Sequence, residues 1–481
     1  MSESFEQQRP KDSAFVKAIP VALILAGVVW LLVLLTGDPA GELALRLPGA
    51  DGTPEVIPGQ EEPAEIKGEL VMGDGEPADL PGAWPRFRGA GLDGISTEEV
   101  AFARTWPDDG PRQLWSVDLG EGYAGAAVRA GRVYVLDYDQ ENKADTIRCL
   151  SLADGKEIWR YWYPVKIKRQ HGMSRTIPTV TEKHLIAFGP KCHVTCLDPV
   201  TGEFKWMLNL VRDFGATVPQ WYAGQCPLIE DGKVIIAPGG ESLMMAADCE
   251  SGEIIWQTPN PRKWKMTHSS IMPIEFAGRR IYLYCASGGV VGISAEEGAV
   301  LWEITDWRIR IANVPTPVVV GDGMIFLSGG YNAGSMMLQL TENEGQIGAE
   351  ILFRLRHKVF GAEQQTPIFY DGYIYGVRPD RQLVCLDLQG NVVWASGSGK
   401  KFYLGPYTIA NGLIYALDDF GLLRLVEATP AGYQQLAEAK VIDGHECWGP
   451  MAVAGGRLVL RDLKRMICLD ITEWKAAKVE P

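Results

Sequence analysis

Short apolar runs rich in β-branched and aromatic side chains recur through most of this chain, among them Val133-Tyr-Val-Leu136, Val234-Ile-Ile236, Ile281-Tyr-Leu-Tyr284, Ile325-Phe-Leu327 and Leu413-Ile-Tyr415. Turn residues precede them, as in Asp231-Gly232, Asp322-Gly323, Asp371-Gly372 and Asn411-Gly412. Before each turn lies a second apolar strand that carries a proline: Pro178, Pro227, Pro273, Pro317, Pro367, Pro406 and Pro450. Runs of this length joined by Asp-Gly or Asn-Gly predict β-hairpins. Proline lacks the N–H that a ladder needs, so it suits an innermost strand with an open edge.

The outer half of the repeat is marked more sharply. In Cys196-Leu-Asp-Pro-Val-Thr-Gly-Glu-Phe-Lys-Trp206 an apolar step into Asp198 leads to a turn closed by Gly202, with Trp206 four residues further on. Gly155 and Trp159, Gly252 and Trp256, Gly298 and Trp302, and Gly390 and Trp394 keep the same offset. The spacing predicts a tight turn with glycine in the left-handed region, then a strand that carries an aromatic to a fixed place. Such a unit cannot bury its own faces, so copies must stack on one another. Trp-to-Trp intervals of 46 to 50 residues from Trp159 to Trp302 suit a blade of four strands.

Counting by these marks predicts an all-β fold, an eight-bladed β-propeller of four-stranded antiparallel blades over residues 112–474. Blade one, Tyr123 to Trp159, has Ala126 in the proline position, and blades two, three and four end at Trp206, Trp256 and Trp302. Phe353 takes the aromatic position of an irregular blade five, which carries an insert at 329–348; Trp394 ends blade six and Leu436 blade seven. The last stretch, Trp448 to Ile471, has three strands, and Leu114-Trp-Ser-Val-Asp-Leu119 reads as a fourth strand that has lost its first three. Joining the two ends closes the ring and removes the unpaired edge. Residues 84–111 form an arm, expected on the outside or base of the ring.

Ala18 to Gly37 contains no charge and, at roughly 1.5 Å per helical residue, is long enough for a bilayer core of about 30 Å. It predicts a single transmembrane helix, 18–37, after a cytoplasmic tail, 1–17. Arg9, Lys11 and Lys17 precede the run and only Arg46 follows closely, which places the propeller outside the cytoplasmic (inner) membrane, in the periplasm or extracytoplasmic space. A cleaved signal peptide is the alternative, against which stand the length of the run and the want of a small-x-small site. The first cysteine is Cys149, so no lipid-modified cysteine lies near the start. Residues 38–83, rich in Pro, Gly, Glu and Asp, predict an acidic, extended linker, and 475–481 a short tail. A formal charge of −14 without a basic stripe speaks against a nucleic-acid partner.

The Asp-x-x-Thr-Gly-Glu-x-x-Trp pattern of Asp198 to Trp206, its copies, and the opening Trp84, Arg88-Gly89, Asp93-Gly94 and Leu114-Trp115 resemble the quinoprotein (PQQ-like repeat) propeller superfamily over roughly Trp84 to Ile471. That superfamily includes pyrroloquinoline-quinone (PQQ) alcohol dehydrogenases and BamB-like outer-membrane assembly factors. The resemblance implies that the tryptophans dock between neighbouring blades. For function it is a packing device shared by catalysts and non-catalysts. Two departures matter: the dehydrogenases hold their cofactor against a disulfide between adjacent cysteines, and no Cys-Cys pair is present; BamB is a lipoprotein, and the lipid cysteine is absent.

In a propeller the start of each innermost strand faces the mouth of the central channel. The residues just before the repeated prolines therefore nominate a ligand site: Tyr123, Arg175, Gln225, His268, Asn313, Glu363, Gln364, Tyr403, His445, Glu446 and Trp448, with His171 slightly further out. A water-filled channel lined by polar groups accounts for the same set. Asp306 and Asp443 are the aspartates in reach for a base, with no nucleophile or metal signature beside either. Cys149, Cys196, Cys385 and Cys468 share one repeat position and read as small core residues. Cys192, His193 and Cys196 are too far apart along one strand to share an ion, with roughly 13 Å between residues four apart. Nine cysteines is an odd number for an exported domain, leaving at least one free or bound to another chain. Two functions follow. The first is a non-catalytic, membrane-anchored platform with envelope or membrane protein partners, BamB-like in envelope assembly. The second is a PQQ-dependent alcohol or sugar dehydrogenase holding PQQ with calcium.

Overall fold

The computed structural model describes residues 66–169 and 171–473, all within the compact unit Thr53–Pro481. The predicted tail 1–17, membrane span 18–37, first part of the linker and tail 475–481 lie outside the described residues. Among the described residues no helix is long and apolar enough to cross a membrane.

The described strands form eight sheets arranged as blades, antiparallel except where Ile95–Ser96 adds parallel to the first strand of blade seven. Blade two is representative: Thr179–Val180, Leu185–Phe188, His193–Leu197 and Phe204–Asn209 pair in sequence order from the channel outward. The short first strands line the channel and carry their prolines at or just before their start, for example Leu228–Glu230 after Pro227 and Tyr407–Ala410 after Pro406. Their N–H groups on the channel side have no ladder to serve, which is why proline is tolerated there.

The aromatic at the fixed offset is the joint between blades. Trp159 of blade one lies under Gly202 of blade two: a Cβ on Gly202, at φ +78°, would sit 2.7 Å from the indole. Only glycine leaves that space and accepts that backbone angle. The Trp159 indole N–H donates to Val200 O at 3.1 Å, in the same turn. Trp115 on Gly155 and Leu152 O, and Trp206 on Gly252 and Cys249 O, repeat the arrangement. Blade five departs as expected, with Phe353 packed under Gly390 where other blades place an indole. Each tryptophan also explains the cysteine opposite it. Trp159, Trp206, Trp394 and Trp115 pair across the ladder with Cys149, Cys196, Cys385 and Cys468, each pairing lying beside a register shift. A small side chain is needed where a bulge turns an indole toward the neighbouring blade. All nine cysteines are buried.

The ring closes as the strand count requires. Gln113–Asp118 pairs antiparallel with Arg465–Asp470 as the outermost strand of blade eight, after Ala452–Ala454 and Arg457–Arg461. Arg461, fully buried, spans the seam to blade one, donating to Ala124 O and Gly120 O at 3.3 and 3.0 Å.

Two expectations need correction, and a third is narrowed. The predicted linker 38–83 does not stay extended to its end: Glu69–Met72 pairs antiparallel with Trp159–Trp162 and becomes a fifth, outermost strand of blade one, and Ala78 N bonds Gly131 O. Composition argued against a core there, but the open outer edge of a blade takes a strand through its backbone alone. Of the two places expected for the arm, outside or base, it takes the base. It crosses the base of the channel, touching Val128 through Trp84, Val180 through Pro85, Ile229 through Arg86 and Ile409 through Ile95 and Gly94. Arg88, buried, donates to the carbonyls of Leu92, Asp93, Thr366 and Pro367 and so ties the arm to blade six. Finally, 329–348 is no insert. Residues 330–333 are the mouth-side turn between the second and third strands of blade five, and 334–348 belong to a long hairpin, Gly334–Asn343 and Gln346–Leu355, whose own turn is on the base side.

Candidate functional site

With the base filled by the arm, the mouth is the open end of the channel. Two sets of loops build it: those leading into the first strands, and the turns between second and third strands. On the side of blades one and eight, Tyr123 donates to Glu446 Oε2 at 2.6 Å and its ring lies 5.2 Å from that of Trp448. Trp448 in turn donates to Asp419 Oδ1 at 3.0 Å, from the second-to-third-strand turn of blade seven. Burial and the Glu446 carboxylate push the Tyr123 phenol up, so it remains a donor. Burial also raises Asp419, against the pull of Leu404 N–H and the Trp448 indole. Gln365 joins two loops, its amide donating to Leu404 O and Trp448 O at 3.2 and 3.0 Å.

The side formed by blades two to five is wired differently. Arg175 stands 5.0 Å over the Tyr123 ring and donates through Nε to Trp221 O, while its Nη2, shielded from solvent, has no hydrogen-bond partner among the described residues. Trp221 lies 6.3 Å from His268, whose own backbone N–H bonds Asn313 O at 3.0 Å. His268 Nε2 and Asn313 Oδ1 are likewise shielded without a partner among the described residues. Burial, helped by the Arg175 charge, pushes the His268 imidazole down to about 3, so the ring is neutral. Burial lowers Arg175 as well, offset in part by Tyr123 and Glu446.

A recess between blades six and seven, of about 250 Å³ including its open side, is lined by Glu363, Gln364, Arg378, Arg381, Tyr403 and Leu404. Arg381 donates to Glu363 at 2.8 Å, and Tyr403 lies edge-on to the exposed Phe420 at 5.4 Å.

Most of the nominated residues therefore do converge on the mouth. Gln225 does not line it: fully buried, it is fastened to Ala237, accepting from its N–H at 2.8 Å. His445 is exposed beside the rim, and neither Asp306, paired with Arg354, nor Asp443, beside Lys440, joins the cluster. The sequence reading missed Asp419, Trp221, Arg378, Arg381 and Gln365. Asp419 and the two arginines sit in second-to-third-strand turns such as Asp418-Asp-Phe-Gly421, a second rim that counting from the prolines overlooks. Among the described residues no three His, Cys, Asp or Glu side chains gather to hold a metal ion.

The family model described as "Outer membrane protein assembly factor BamB" matches residues 143–396, from the third strand of blade one to the end of blade six. The chain belongs to this family of PQQ-like β-propellers. Among curated relatives, BamB of Yersinia pestis is 21% identical over 41% of this chain and 50% of its own length. The chain thus spans about half of that relative. BamB of Moranella endobia is 22% identical over 66% of this chain and 78% of its own. The crystal structure of BamB from Moraxella catarrhalis superposes with a TM-score of 0.52 at 15% identity, covering 75% of this chain and 99% of that one, a likeness of fold.

Proposed function

We propose that this chain is a non-catalytic binding platform of the bacterial envelope, held to the inner membrane by its amino-terminal segment, whose mouth engages protein components of outer membrane protein assembly. Membership of the BamB family supports the process. The observation that carries the platform reading is the wiring of the rim. Tyr123 to Glu446, Trp448 to Asp419 and Gln365 to two carbonyls fix the loops of blades one, six, seven and eight to one another, leaving Phe420 and His445 on a rigid exposed lip. Rigid presentation of aromatic side chains lowers the entropic cost of docking a protein.

Photo-crosslinking residues placed at Tyr403, Phe420 and His445 in living cells test this. Cross-links to an outer-membrane assembly protein are the expected outcome; rim positions that capture no protein, while core controls behave normally, would overturn it.

One observation favours a second reading, binding of PQQ. Among the described residues Arg175 Nη2, His268 Nε2 and Asn313 Oδ1 are shielded and unpartnered; the carboxylates of PQQ would accept from Arg175 and from His268 in the tautomer protonated at Nε2, and its ring N–H would donate to Asn313 Oδ1. Among the described residues no three acidic or histidine side chains gather beside these atoms to hold calcium. Titration of the full chain with PQQ and calcium, following absorbance and melting temperature, separates the readings. A saturable shift lost in His268→Ala favours the cofactor; no shift leaves the platform.

A further inference from the structure

The fifth strand of blade one is itself an edge. Glu69–Met72 is the terminal strand of its sheet, and all four residues are exposed, with Leu70 37%, Val71 38% and Met72 61% accessible. Gly73 N bonds Ile158 O, and Val71 lies opposite Arg160, so odd-numbered residues direct their backbone groups inward. The alternation of an antiparallel ladder then turns the N–H and C=O of Leu70 and Met72 to the open side. An apolar strand with a free ladder is a template for another strand.

The side chains extend the template into a surface. Leu70 is opposite Tyr161, and Tyr161 stacks on Phe204 of blade two at 5.7 Å and 16°. Leu70 also reaches the Gly202 turn, where its Cδ1 would lie 2.7 Å from an added Cβ. Phe204 and Val200 are 45% and 52% accessible, so the apolar stripe runs from the open strand onto the neighbouring blade.

We propose that this edge is a self-association surface, on which Glu69–Met72 of one copy pairs antiparallel with the same strand of a second copy and joins their two five-stranded sheets. Three features select a second copy. The outward groups of Leu70 and Met72 are compatible with a two-fold axis through Val71, which sets Leu70 of each copy against Met72 of the other. That register puts Leu70 and Met72 of both copies on one face, continuous with Tyr161 and Phe204. The ends of the strand also carry opposite charge: Lys67 precedes it and Asp74 and Glu76 follow, all exposed and without ion-pair partners among the described residues. An antiparallel two-fold pairing brings Lys67 of each copy to the Asp74–Glu76 end of the other.

Sedimentation velocity of the full chain over a range of concentrations is the test. Reversible dimerisation is expected, weakened about tenfold or more by Met72→Pro, a loss equivalent to one or two cross-strand contacts. Proline there removes an N–H that points outward and leaves the inward ladder to Trp159–Trp162 in place, so an unchanged melting temperature reports an intact fold. Charge reversal makes the surface specific. Lys67→Glu alone and Asp74→Lys with Glu76→Lys alone should each self-associate weakly, and an equimolar mixture of the two proteins should form heterodimers. A chain that stays monomeric throughout, a dimer indifferent to Met72→Pro, charge variants that behave alike mixed or apart, or capture of a different protein's strand on this edge would each overturn the proposal.

Discussion

Gly202→Ala, compared with Gly232→Ala, isolates the joint between blades. Both glycines are in the left-handed region, at φ +78° and +72°, so each alanine carries the same backbone penalty of about 1–2 kcal/mol. Each also gains the same stabilisation from a stiffer unfolded chain, about 0.4–1 kcal/mol. The two sites differ in what the new methyl meets. At Gly232 nothing lies within 4 Å, whereas at Gly202 the methyl would stand 2.7 Å from both Trp159 and Leu70. Trp159 is fully buried and held by its bond to Val200 O, so it cannot swing away without leaving that carbonyl unpaired. Overpacking of this kind costs about 1–3 kcal/mol, which is the expected difference between the variants in urea denaturation followed by circular dichroism. In a Trp159→Leu background the penalty at Gly202 should shrink toward that at Gly232, a coupling a double-mutant cycle measures. Equal losses at the two glycines, or no coupling to Trp159, would refute blade docking through this contact.

Two further outcomes follow from buried groups. Trp206→Ala should lower stability by about 3–5 kcal/mol, because it empties an interblade position and leaves Cys249 O without its indole donor; a variant with unchanged denaturation midpoint would remove Trp206 from that role. Asp145, fully buried with Tyr163 donating to it at 2.5 Å, is raised by burial from 3.8 to about 7. Between those values the folded chain holds a proton that the unfolded chain has lost, so stability contributed by Asp145 is present at low pH and declines as pH rises through the window. The decline amounts to about 4 kcal/mol at most, and Asp145→Asn should flatten it; an unaltered slope of denaturation free energy between pH 4 and 7 would count against it.

The ring was legible because its grammar is local and repeated. A glycine with positive φ and an indole four residues later recur in five of the eight blades, and the missing fourth strand of blade eight could be counted from the same marks. Four of the nine cysteines obeyed it too, each a small residue facing a tryptophan. The mouth was legible only in part, since its residues come from loops that do not repeat. Arg175, His268 and Asn313 could be found by their distance from the prolines, but Asp419 and Arg381 arrive on turns from the other side of the blade, and Gln225 had the right position with its side chain turned into the core. The linker misled because composition reports whether a segment can build a core, and Glu69–Met72 needs none when a finished blade offers its edge.

The closing strand also sets an order of events in time. Blades two to seven are contiguous in sequence and can form as synthesis proceeds, each waiting only for its neighbour. Blade eight cannot, because Gln113–Asp118 must hold its hydrogen-bonding groups open until Arg465–Asp470 arrives, and the arm beneath the channel has no floor to seal until blades six and seven exist. Joining strands so distant along the chain carries the largest loop-closure entropy in the fold. The circle therefore completes last, and until then the earliest part of the propeller to emerge is an unpaired edge in need of protection.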